Sequence, residues 1–205
     1  GGDMDILIGT QMIAKGLDFD NVTLVGIING DTGLFLPDFR SGEKVFQLIY
    51  QAAGRSGRRK EGEVIIQTYN PDNPVLKHAA KLDQKTYYNI ALSERQELLY
   101  APFAWMIRIE IEGVKKEIVN TCAKKISQKL KSTPKGIEIL GPAKCYRERL
   151  RGKYRMHIML KSDKTHDPNG AKLHSFLQKY FSAGLLSKLP VNAKAFVDVN
   201  PVSVL

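Results

Sequence analysis

The sequence predicts an α/β chain in two parts: an open sheet of parallel strands with interleaved helices, then a smaller α+β sandwich. Three observations carry this prediction. Short β-branched runs alternate with helix-like stretches over the first 70 residues. A strand of strict period two opens the second half at Trp105. Charge also divides: residues 1–100 hold 11 Lys+Arg against 13 Asp+Glu, and residues 101–205 hold 20 against 8.

Met4-Asp-Ile-Leu-Ile-Gly-Thr10 is an apolar run ending in Gly-Thr, the pattern of a buried parallel strand that feeds a loop. Asn21 to Ile28 is a second such run, and Glu63 to Thr68 a third. Gly30 to Arg40 mixes Gly, Pro and Asp with aromatics and reads as an ordered loop. A helix follows from Ser41 to Ala53. This alternation places ligands at the C-terminal ends of the strands. Residues 75–100 have helical spacing, and Tyr100-Ala-Pro102-Phe103 marks a boundary. The expected divisions are therefore 1–71, a helical linker over 72–103, and 104–205.

In the second part, Ile107, Ile109 and Ile111 alternate with Arg108, Glu110 and Glu112, which makes a half-buried strand. Ile118, Cys122, Ile126 and Leu130 recur every four residues and define an amphipathic helix. Strands at 137–140 and 154–160 flank a hairpin tip at Arg151-Gly152-Lys153. A helix lies within 170–189, and Ala195 to Val199 closes as a strand. The order βαββαβ fits a ferredoxin-like α+β sandwich.

Composition narrows the function classes. Hydrophobic (43%) and charged (25%) contents are those of a globular protein. No run of about 18 apolar residues exists, so a membrane-spanning helix is not expected. The start at Gly1-Gly2-Asp3-Met4 reads as a piece of a longer protein without a signal sequence. Cys122 and Cys145 have neither a C-x-x-C partner nor a histidine at ligand spacing. No metal site is expected, and lone thiols suit a reducing cytoplasm. The net +12 of the second half points to a polyanion, nucleic acid first.

The chemistry concentrates in three places. Gln51-Ala-Ala-Gly-Arg55-Ser-Gly-Arg58 sets two arginines, each after a glycine, at the end of a helix. Glycine allows close backbone approach and arginine supplies a permanently charged fork for phosphate oxygens, although a solvated basic loop has the same spacing. Thr10-Gln11-Met-Ile-Ala-Lys-Gly16-Leu-Asp18 offers a hydroxyl and backbone amides to a nucleic-acid phosphate, with Asp18 placed for a ribose hydroxyl or a neighbouring arginine. Lys144, Arg147, Arg149, Arg151, Lys153 and Arg155 crowd twelve residues that also include Tyr146 and Tyr154. In an extended hairpin the alternating basic residues from Arg147 to Arg155 would line one face, with the tyrosines stacking on bases. The alternative is a hairpin that is basic for solubility. No G-x-x-x-x-G-K-[ST] loop is present and no acidic pair follows a strand, so this chain is not a complete ATPase.

Gly9 to Gly16 together with Gln51 to Arg58 resembles motifs V and VI of superfamily 2 helicases. Pro37-Asp-Phe-Arg-Ser-Gly-Glu-Lys44 and Asp198-Val-Asn-Pro201 narrow the resemblance to the primosomal, replication-restart DNA helicases of that superfamily. The resemblance implies that residues 1–71 are most of the second RecA-like helicase lobe and 104–205 the family's C-terminal domain. It implies an ATP-dependent 3′→5′ DNA helicase that reloads the replication machinery at stalled forks, in the nucleoid of a bacterial cytoplasm. Arg58 would be the arginine finger toward the γ-phosphate of an ATP held, with Mg2+, mainly by a first lobe outside this chain. Arg55 would support the same phosphates and Gln51 would couple ATP to lobe closure. Gly16 and Asp18 would face the nucleotide, and Thr10 and Gln11 the tracked strand. The family's zinc-binding cysteines would lie upstream of Gly1. The implied partners are forked or single-stranded DNA, other primosome proteins, and the acidic tail of the single-strand DNA-binding protein, the last at Lys172 and His174. Two other readings remain: a non-catalytic docking module for DNA and that protein, or part of another superfamily 2 translocase.

Overall fold

The computed structural model of the chain describes residues 5–10, 22–54, 62–130, 134–182, 184 and 189–204. They fall into two compact units, residues 1–36 with 40–91 and residues 37–39 with 92–205.

The first unit is built on two short parallel strands, β1 (Leu24–Ile27) and β2 (Glu63–Ile66), in the register Leu24↔Glu63 to Ile27↔Ile66. Gly30 and Gln67 extend the ladder, the Gly30 amide donating to the Gln67 carbonyl at 2.8 Å. Between the strands runs α1 (Ser41–Ala53), which buries Val45, Phe46, Ile49 and Ala52, a helical stripe. The Phe46 ring lies flat on Tyr87, 4.3 Å between centroids. Gly42 permits that approach, because a Cβ there would sit 2.9 Å from the Tyr87 hydroxyl. Asn73 caps α2 (Pro74–Ala80) by accepting from the Val75 amide at 2.9 Å, with Pro74 in the first turn.

Two expectations change here. The run ending at Thr10 forms no strand over its described residues 5–10, and Ile6 and Ile8 are exposed. A parallel strand exists only through a neighbour, and β1 and β2 pair with each other. The stretch 72–103 is helical over α2 and α3 (Gln84–Glu97), but it is not a separate segment. It divides at Ala91 and Leu92, its first part packing with the first unit and its second with the other.

The second unit has the element order β3 (Ala104–Gly113), α4 (Lys116–Leu130), β4 (Ile137–Leu150), β5 (Lys153–Asp163), α5 (Ala171–Ser182), β6 (Ala193–Val199). The strands form one antiparallel sheet in the order β4-β5-β3-β6. Ile107, Ile109, Ile111, Ile158 and Leu160 point to the same side as the buried stripes of α4 and α5 and form one core with them. The period-two reading of β3 thus identifies the face that the helices cover. At the tip of the β4–β5 hairpin, Arg151 (φ +50°) and Gly152 (φ +81°) both take left-handed dihedrals, as a two-residue primed turn requires. No described helix is long and apolar enough to cross a membrane.

The start of α5 is held by one side chain. Asp167, 1% exposed, accepts from the amides of Lys172 (3.1 Å) and Leu173 (3.0 Å) and from the Ser162 hydroxyl (3.0 Å). Its own carbonyl accepts from the Trp105 indole at 2.9 Å. Asp167 therefore ties α5 and β5 together through its buried carboxylate and joins β3 through its main-chain carbonyl.

Candidate nucleotide and nucleic-acid contact sites

The end of α1 is the described part of the arginine corner. Gln51 sits exposed on its last turn, and the Gly54 amide donates to the Tyr50 carbonyl at 3.0 Å to finish the helix. The apolar stripe faces inward, which leaves Gln51 directed at solvent. Arg55 and Arg58, with Gln11, Gly16 and Asp18 of the other motif, lie outside the described residues. Thr10 is described and exposed.

At the C-terminal ends of β1 and β2, Asp31 pins the loop that precedes α1. It is buried, and its carboxylate accepts from the Thr68 hydroxyl and the Tyr69 amide, each at 2.8 Å. This clasp is not visible in the sequence, because Asp31 and Thr68 stand 37 residues apart.

The basic hairpin differs from the single face expected. Leu150 pairs with Lys153 and Arg149 with Tyr154 across the tip. At the tip, Arg149 therefore shares a face with Tyr154, and a register shift between Arg149 and Lys144, which pairs with Met156, ends that alternation further along the arm. Arg149 lies on the Tyr154 side, its guanidinium 5.3 Å from that ring, whereas Lys153 and Arg155 lie on the opposite side. The Tyr154 ring also has the Lys116 ammonium at 5.9 Å, so it is engaged by cations and is not an open platform for bases. Lys144 is paired with Glu148 at 3.1 Å and Lys153 with Glu112. Arg155 is bound to Glu110, with its Nη2 2.9 Å from Oε2. Arg147, Arg149 and Arg151 stay exposed with no ion pair among the described residues, beside the exposed Tyr146.

The sheet face away from the helices carries a buried charge cluster that the sequence did not reveal. Glu110 accepts from Arg155 and from Arg108 Nη2 (2.7 Å), and Arg108 is 7% exposed. Burial works to raise the Glu110 carboxyl, but the Arg155 hydrogen bonds and the charges of Arg108 and Arg155 outweigh it and hold it below its ordinary 4.5. Burial pushes the neighbouring Cys145 thiol up. Burial, then the Arg108 charge, holds His157 below its ordinary 6.5. Arg108 Nε and His157 Nδ1 are buried without a hydrogen-bond partner among the described residues. An unfolded His157 takes up a proton near pH 6.5 while the folded one resists, so acidification through that value costs stability. In urea titrations at neutral and mildly acidic pH, His157→Gln is expected to lose less stability on acidification than the parent. An identical loss would show that other groups set the acid sensitivity.

Lys172 and His174 are both exposed at the start of α5. The Lys172 ammonium reaches the His166 carbonyl. Two positions apart on a helix, the two side chains diverge and do not form one pocket.

Comparison with known proteins adds the family. A family model described as the helicase conserved C-terminal domain matches residues 1–60, and one described as the primosomal protein N C-terminal domain matches residues 96–202. The chain is 38% identical over 204 residues to the replication restart protein PriA of Chlamydia pneumoniae, covering 98% of this chain and 26% of that protein. It is 42% identical over 162 residues to PriA of Bacillus subtilis (78% and 20%), and 37% identical over 206 residues to PriA of Treponema pallidum (100% and 30%). The chain thus spans about a quarter of the length of the curated relatives it matches.

Proposed function

Since the chain belongs to the PriA family of replication restart proteins, we propose that it supplies half of an ATP-dependent 3′→5′ DNA helicase together with that helicase's C-terminal docking domain. The full protein then unwinds forked DNA in the nucleoid of a bacterium, where its partners are single-stranded and forked DNA, primosome proteins and the acidic tail of the single-strand DNA-binding protein. The observation that carries the nucleotide role is the exposed Gln51 on the last turn of α1, four residues before Arg55 in the sequence. An exposed polar helix end that leads into an arginine pair fits a triphosphate presented from outside this chain. ATP, when bound, supplies the free energy of phosphoryl transfer. Arg58 meets the charge that develops on the transferred group, Arg55 supports the same oxygens, and Gln51 senses closure. Gly16 and Asp18 line the nucleotide side of the cleft, and Thr10 and Gln11 hold phosphates of the tracked strand.

Among the described residues no group of three side chains is placed to hold a metal ion. In this reading magnesium belongs with the first lobe. Buried Cys122 and Cys145 do not fit a zinc site, and the zinc that the family resemblance implies would be held by cysteines outside this chain. The purified 205-residue chain is accordingly expected to show no ATP hydrolysis above background in a phosphate-release assay. Measurable turnover would refute the half-site reading.

For nucleic acid, the surface we assign is Arg147, Arg149 and Arg151 with Tyr146. The paired Lys153 and Arg155 contribute less. Replacing the three arginines by glutamine should lower the slope of log affinity against log salt for single-stranded DNA by about 2, at roughly 0.7 for each phosphate no longer neutralised. An unchanged slope in fluorescence anisotropy titrations would leave the hairpin as a solvated face. A second reading, a docking module without catalysis, is favoured by the concentration of positive charge in residues 101–205. It predicts DNA binding that is indifferent to nucleotide in the full protein.

A further inference from the structure

The turn Glu97–Tyr100, the start of β4 from Gly136 to Leu140 and the end of β5 from Lys161 to His166 line an open surface pocket of about 620 Å³. This is the size of an ordinary ligand or peptide-anchor pocket. Its lining combines two features.

The first is exposed apolar surface. Leu98 is 57% exposed and Leu140 40% exposed, both at the cavity, while Ile137 beneath them is buried. The second is a reversal of charge. Glu97 and Glu138 are exposed and neither forms an ion pair among the described residues. Asp163 is occupied: it accepts from the Thr165 amide at 2.8 Å and faces His166 at 3.5 Å. At the floor, Lys161 is 4% exposed and its ammonium is already committed. It donates to the Leu98 carbonyl at 2.9 Å and lies 3.8 Å from the centre of the Tyr100 ring. The lining carries three acids, Glu97, Glu138 and Asp163, against one lysine and one histidine, within a half-chain of net +12.

This lining selects among occupants. A phosphate chain meets the Glu97 and Glu138 carboxylates and is repelled. A purely apolar side chain leaves both carboxylates unused. A small acid finds the one available cation already engaged beneath a ring. We propose that the pocket docks a cationic amphipathic segment of a partner protein. A lysine or arginine of that segment pairs with Glu97 and Glu138, and a neighbouring apolar side chain seats on Leu98 and Leu140. The site is distinct from the DNA surface proposed above and does not depend on that reading.

The probe is an acetylated, amidated hexapeptide of alternating leucine and lysine, titrated into the isotopically labelled 205-residue chain and followed by amide shifts. The expected result is saturable shifts at Leu98, Glu138, Leu140 and Lys161, with no such response to the leucine–glutamate counterpart. Glu97→Gln combined with Glu138→Gln should weaken binding about tenfold, the product of two exposed ion pairs of usual strength. Leu140→Ser should weaken it further with an unchanged amide spectrum outside the pocket. DNA affinity should be the same in the parent and the double glutamine variant. The proposal is overturned by equal binding of the leucine–glutamate peptide, by shifts confined to other surfaces, by an unaltered affinity in the double variant, or by a parallel loss of DNA affinity.

Discussion

Replacing Arg58 by alanine in the full-length protein is expected to lower DNA-stimulated ATP hydrolysis by about 10³- to 10⁵-fold. DNA affinity should stay within about twofold of the parent, because the phosphate contacts proposed for DNA lie at other residues. The size of the effect follows from timing. The charge on the transferred phosphoryl group exists only near the transition state, so a cation that waits there contributes to turnover and little to ground-state binding. Arg58→Lys should recover only a small part, because an ammonium keeps the charge but lacks the planar fork. Steady-state hydrolysis with saturating single-stranded DNA, read beside anisotropy binding curves, separates the two effects. Turnover within about tenfold of the parent would remove Arg58 from the finger role and leave Arg55 as the remaining candidate of that motif.

Asp167→Ala is expected to have the largest effect on stability. It strands two backbone donors and the Ser162 hydroxyl in a buried position, which costs on the order of 3–5 kcal/mol. For a chain of this size that is a fall in Tm on the order of 10 °C. Burial alone would raise the Asp167 carboxyl, yet the donors from Leu173, Lys172 and Ser162 together hold it below its ordinary 3.8. A depressed carboxylate gives its full stabilisation above the unfolded value and loses it as pH falls through the folded one. The parent should therefore lose stability below about pH 4 more steeply than Asp167→Asn, which keeps the shape and lacks the titration. Calorimetry of parent and both variants at neutral and acidic pH measures this. A Tm for Asp167→Ala within about 2 °C of the parent would show that α5 starts without its cap.

Much of this fold was legible in the residues. The Ile107, Ile109, Ile111 alternation and the four-residue spacing of α4 each name a buried face without reference to any partner. Arg151-Gly152 was readable as a tip because a two-residue turn asks for a glycine in a left-handed position. The run from Met4 to Thr10 looks like β1 and β2 in composition, yet its described residues make no strand. Apolar content proposes a strand, whereas a ladder needs a neighbour at the right distance.

The candidate sites divide in the same way. Motif spacing and the family resemblance put forward Gln51, Arg55 and Arg58 as candidates, of which only Gln51 lies among the described residues. Register decided the hairpin: the pairing of Leu150 with Lys153 sends Arg149 to one side and Arg155 to the other, where Glu110 binds it. The Asp31 clasp, the cluster around Glu110 and the acid-rimmed cavity over Lys161 join residues far apart in sequence. Local periodicity and turn chemistry are properties of a short segment, and the sequence by itself determined them, together with the two-part architecture and the charge division. Burial of Arg108, the pairing of Arg155 and the residues that gather around Glu138 depend on which strands become neighbours. Only the tertiary structure decided those, because contact energies fall off within a few ångströms and nothing in a single segment specifies what will lie across from it.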